Sequence, residues 1–138
     1  MKLLTQENRK SLPALYSQDG AGADAVAYVK FFNPCGSGTW YATEASAVLP
    51  DGTYVGLTDA TANEAEDVTL FGWVEGLGDD ELGYFSLSEL SSVRLRFGLG
   101  IERDIHWSPR PLREIPSFAQ SRGLRAARGL RAANGEAQ

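Results

Sequence analysis

The sequence has one cysteine, one histidine, and no apolar run approaching the ~18 residues that a membrane-spanning helix needs. A lone thiol, Cys35, cannot close an intramolecular disulfide, so folding does not call for an oxidising compartment. The N-terminal MKLLTQENRK turns polar after two leucines and lacks the apolar stretch of a secretory signal. These absences predict a cytoplasmic protein with no membrane partner. They also narrow the chemistry. Cys35 has no base near it in sequence to activate it as a nucleophile. The segment NPCGSG, residues 33–38, lacks the GKS or GKT ending of a phosphate loop and lies between two strand-like runs, away from any helix N-terminus.

What the chain does have is enough apolar material for one core. Its 138 residues are 43% hydrophobic and 22% charged, the profile of a single globular domain. Charge is unevenly spread. Residues 1–115 carry 9 Lys/Arg and 17 Asp/Glu, a balance of −8, whereas residues 116–138 carry four arginines against Glu136. An acidic body repels a phosphate backbone, so any nucleic-acid contact would fall to Arg122, Arg125, Arg128 and Arg131. Those arginines recur every three residues within a duplicated RGLRAA, which spreads them around a helix, and two glycines weaken that helix further. The expectation is a flexible basic tail over 116–138 that binds nucleic acid weakly at most.

Along the body, Thr5 can cap a short helix with Glu7 in its first turn, and Pro13 ends it near Leu12. Strand-formers fill residues 25–32, 39–49 and 53–59, with LPDGTY supplying a hairpin turn between the last two. Residues 60–67 read as a polar acidic loop. VTLFGWVEG and ELGYFSL flank a second turn, and Ser86 with Glu89 forms a helix-capping pair for LSELSSV. Residues 97–109 contain an alternating strand ended by proline. Strands without regular βαβ alternation predict an α+β fold: one compact domain over 1–115, mainly antiparallel sheet with about two short helices.

Several phrases occur together and in order: LPALYSQ at 12–18, YVKFFNP at 28–34, TWYATE at 39–44, ELGYFSLSEL at 81–90 and GLGIERDIHWSPRPLREI at 98–115. As a set they resemble the bacterial family catalogued as domain of unknown function 2958, over roughly residues 1–115. That resemblance implies a compact protein frequent on plasmids, integrative elements and phage-related DNA, often near DNA-modification genes. It implies no catalytic residues. The segment 45–72 is expanded relative to the family pattern, and the tail beyond Ile115 falls outside it.

Three sets of residues remain as candidate sites. In KFFNPCGSGTWYATE, residues 30–44, the aromatics Phe31, Phe32, Trp40 and Tyr41 resemble a base-stacking platform, but with Lys30 as the one local cation they are expected to pack inward. In IERDIHW, strand alternation puts Glu102, Asp104 and His106 on one side, a candidate metal or proton-transfer face for a small hydrolase-like enzyme. Arg103 falls on the apolar side and is expected to form an ion pair. The acidic clusters Glu64, Glu66, Asp67 and Asp79, Asp80, Glu81 lack the spacing of a calcium loop. They are a candidate partner-binding surface that could imitate DNA phosphates. The balance favours a non-enzymatic interaction protein of a mobile element, without metal or cofactor, acting on a DNA-processing or defence protein.

Overall fold

The computed structural model describes residues 1–121. Helix α1 spans Gln6–Ser11. The Thr5 hydroxyl accepts the Asn8 N–H, and the Asn8 side chain accepts the Thr5 N–H in return. The stretch expected to be one strand over 25–32 is two, β1 (Val26–Ala27) and β2 (Val29–Phe32), because Tyr28 breaks the ladder. Then follow β3 (Thr39–Val48), β4 (Tyr54–Gly56), β5 (Asp67–Glu75) and β6 (Glu81–Ser86), all near their expected positions. Helix α2 spans Leu87–Ser92, and two-residue strands β7 (Glu102–Arg103) and β8 (Arg110–Pro111) complete the ladders.

The main sheet is antiparallel throughout, in the order β6-β5-β3-β2-β7, with β4 pairing the far end of β3. A separate pair joins β1 to β8. The fold is therefore α+β and mainly antiparallel, as expected.

Strand β3 sets the architecture because it serves two cores. Trp40 and Ala42 face one side, and plain alternation would turn Ala45 and Ala47 to the other. A bulge at Thr43 inserts one residue against β5, so the register resumes with Glu44 opposite Phe71. The parity flips there. Trp40, Ala42, Ala45 and Ala47 consequently all join one cluster with Phe31, Leu70, Leu4 and Leu90. Tyr41 and Trp73 join a second cluster on the opposite face with Ala25, Leu112, Ile115 and Phe118. The bulge is tight. A Cβ at Gly72 would sit 1.7 Å from the Tyr41 carbonyl oxygen, so only glycine fits.

The body does not stop at residue 115. Residues 116–121 are helical (α3), starting at Pro116, a residue suited to the first helical position. Phe118 is buried edge-on to Trp73 at 5.1 Å, and the Ser117 hydroxyl accepts the Trp73 indole N–H at 2.7 Å. The first six residues of the stretch expected to be a flexible tail from 116 are thus helical and packed on the body. Arg122, Arg125, Arg128 and Arg131 lie outside the described residues.

Candidate functional site

The aromatics of residues 30–44 turn inward: Phe31, Trp40 and Tyr41 are buried and Phe32 is half-buried. Lys30, on the second face, lies over the rings of Tyr41 and Trp107 at 5.6 and 5.7 Å and pairs with Asp104 at 3.6 Å. The Arg110 guanidinium covers the Trp107 ring at 4.2 Å, and the Trp107 indole donates to the Ala27 carbonyl at 3.0 Å. Tyr41 donates its hydroxyl to Glu75 at 2.9 Å. Burial, and then that bond to a carboxylate, push the Tyr41 phenol well above its ordinary value. A phenol held so firmly protonated is no acid or base near neutrality. This cluster seals the second core.

The alternating strand expected within 97–109 is shortened to the two residues of β7, with a loop before it and a turn after it. Glu102 pairs opposite Phe32, and the Asp104 N–H reaches the Lys30 carbonyl, so these two still follow each other along one edge. The pattern fails at the next step. Asp104 is a turn former, and its carboxylate accepts the His106 N–H at 2.9 Å while its carbonyl accepts the Trp107 N–H. Residues 105–106 form that turn, and both side chains are exposed. Glu102, Asp104 and His106 therefore do not share one strand face. Among the described residues, no three His, Cys, Asp or Glu side chains assemble to hold a metal ion. Among the described residues Arg103 forms no ion pair; its guanidinium donates to the Lys2 carbonyl.

The acidic clusters do not merge. They lie at opposite ends of β5, eight steps or ~26 Å apart at about 3.3 Å per residue. Two of their members have structural work. Asp67 accepts the Ser88 N–H and hydroxyl from the first turn of α2, at 3.0 and 2.5 Å, beside the Ser86 hydroxyl that caps Glu89 N–H. Burial alone raises the Asp67 carboxyl, but hydrogen bonds from Ser88 and Val68 outweigh it and hold it below the usual range. Asp80 accepts the Gly76 N–H within its hairpin. Glu64, Glu66, Asp79 and Glu81 remain exposed.

Two features had no sequence signal. Glu44, 3% exposed in the middle of β3, accepts the N–H groups of Tyr16 and Gln18 at 2.8 and 2.7 Å, and Ser46 accepts that of Leu15. Together they bolt the 13–24 loop across the sheet. That loop holds Tyr16 at φ +74, half exposed beside Tyr84. The Tyr16 hydroxyl keeps the Tyr84 phenol above its ordinary value. The other feature is the loop after α2. The Leu95 N–H bonds the Leu99 carbonyl at 2.8 Å, and Phe97 stands at the tip with φ +61 and 93% of its surface exposed. Beside it runs a groove of about 690 Å³ between the N-terminal segment, α2 and residues 93–101.

Fold and site together define a small α+β protein with its main antiparallel sheet covered on both faces, the central Glu44 tied into internal bonds and exposed aromatics carried on loops and an edge strand. A profile described as "Protein of unknown function (DUF2958)" matches residues 3–66 and 49–124, and the chain belongs to that family. The match runs beyond the boundary expected at 115 and takes in α3. No curated protein and no solved structure matches the chain. Among the described residues, no helix is long and apolar enough to cross a membrane.

Proposed function

We propose that this protein is a non-enzymatic accessory protein of a bacterial mobile element that works through protein–protein contact, its target a DNA-processing or defence protein. The observation that carries the contact is Phe97. A bulky side chain in the left-handed region costs about 1–2 kcal/mol, and this one is held there in full contact with water. The left-handed turn closes the Leu95–Leu99 loop but does not require an aromatic side chain at its tip, and among the described residues that ring is left uncovered, whereas aromatic side chains are enriched at protein interfaces. The mobile-element setting rests on the family resemblance. The two acidic clusters, being separated, support the reading less than the loop does.

The test is affinity capture from the native host with the tagged full chain and with Phe97→Ser as parallel baits. A partner retained by the first and lost by the second is the expected result. Recovery of no specific partner by the parent chain would overturn the proposal.

A further inference from the structure

We infer that the groove beside Phe97 receives a partner segment of alternating apolar and carboxylate character, an acidic amphipathic peptide or helix. This deepens the interaction-protein reading and rests on it. The floor of the groove is apolar, formed by Leu4, Leu90 and Ile101, which are 1%, 3% and 6% exposed. Leu99, 39% exposed, lines it, and the exposed Phe97 directly precedes the lining residues Gly98 and Leu99 in the chain, so a ligand in the groove lies close to the aromatic-bearing loop. The volume of about 690 Å³ suits several apolar side chains at once.

The charge around that floor identifies the ligand. Lys2, Arg9 and Arg94 all line the groove, and Glu102 is the one acid among its lining residues. Three of the nine cations in residues 1–115 therefore meet here, on a body whose balance is −8. The ion pairs found among the described residues, Lys30–Asp104 and Arg113–Asp24, include none of the three. Arg94 donates one guanidinium nitrogen to the Ser91 and Val93 carbonyls, which fixes its position at the end of α2 while its charge stays on the rim. A cationic rim over an apolar floor is complementary to a segment presenting Asp or Glu between apolar residues, and it attracts such a segment toward this face of an otherwise acidic body. A nucleic acid would also answer to three cations. It would, however, set phosphates rather than apolar groups against Leu4, Leu90 and Ile101, and bring its remaining charge against an acidic body.

The probe is a library of random linear peptides displayed on phage, selected on the immobilised full chain, with the strongest binder then synthesised and measured by fluorescence anisotropy. Selected peptides are expected to be rich in Asp and Glu interspersed with Leu, Ile or Phe. Affinity for the synthesised peptide should fall at least about tenfold in the Arg9→Glu/Arg94→Glu double variant and in Phe97→Ser, and fall steeply with salt. Tyr84→Ser, on a different surface, should leave it unchanged, and circular dichroism should show every variant folded. Failure to enrich any peptide, peptides without acidic bias, binding indifferent to charge reversal, displacement by a DNA duplex, or a stable dimer of the chain that excludes the peptide would each overturn the inference. Peptides lost in Tyr84→Ser but kept in the groove variants would reject the groove and leave the interaction reading standing. A groove that binds acidic peptides, in a protein that captures no partner from its host, would reject the functional reading instead.

Discussion

Gly72→Ala adds a single methyl group, and the geometry says that it should be among the most damaging small changes in the protein. The new Cβ would lie 1.7 Å from the Tyr41 carbonyl oxygen, 2.8 Å from its carbonyl carbon and 3.1 Å from the Ala42 Cα. All three are backbone atoms of β3, so no rotamer change relieves the overlap. The strands must part at the bulge. Overpacking of this kind costs about 3 kcal/mol, and each ladder hydrogen bond lost adds about 1 kcal/mol. Stiffening of the unfolded chain returns only about 0.4–1 kcal/mol. The net loss of about 3–4 kcal/mol corresponds to a fall in Tm of roughly 10–20 °C for a domain of this size. Gly83, directly opposite Gly72 on β6, has nothing within 4 Å of its own notional Cβ. Gly83→Ala is therefore the control, expected within about 1 kcal/mol of the parent. Urea denaturation followed by tryptophan fluorescence measures both, and recovery of Gly72→Ala only as insoluble protein beside a soluble Gly83→Ala would agree with the argument. Equal stability of the two variants would refute it.

Glu44→Ala leaves the Tyr16 and Gln18 N–H groups without their acceptor and should cost about 2–4 kcal/mol, with proteolytic cleavage appearing in residues 14–24; Glu44→Gln keeps one acceptor oxygen and should cost less. Because the Asp67 carboxyl is held below its unfolded value, the stability it contributes is complete above about pH 4 and is lost as pH falls through the folded value; Asp67→Asn should flatten that limb of a stability–pH profile. Tyr41 has the opposite sign. Its raised value means that stability is full below about pH 10 and declines as pH rises further, a decline absent in Tyr41→Phe. Phe118→Ala should cost about 3–5 kcal/mol and shift Trp73 emission to the red, separating a body that ends at 115 from one that includes α3.

Much of the sheet was legible because its signals are local. β-Branched and aromatic runs mark β3 and β5, Pro50-Asp51-Gly52 marks the turn after β3, and Ser86 marks the start of α2. The misses depended on contacts distant in sequence. The Thr43 bulge exists because the β3 backbone closes on Gly72, about which residues 39–48 contain no information. Glu44 looks like a surface carboxylate until the loop near Tyr16 folds over it. In IERDIHW the alternation is genuine as a pattern, but the aspartate in its middle favours a turn, and with β7 just two residues long there is too little ladder to resist it. One miss was avoidable, since Pro116 followed by Ser117 and Phe118 is itself a helix-start signal. The groove beside Phe97 draws its walls from three separated segments, so no single stretch could announce it.

The position of β4 has a consequence for how this fold would accommodate a change of length. It occupies the same lane as β2, on the same flank of β3, but pairs only with Ser46, Ala47 and Val48, and among the described residues no other strand pairs with it. Residues added at the exposed positions 58–61, between the core residues Leu57 and Ala62, therefore accumulate at the rim without altering which strands adjoin. The exposed acids Glu64 and Glu66 of this chain stand beside that spare berth.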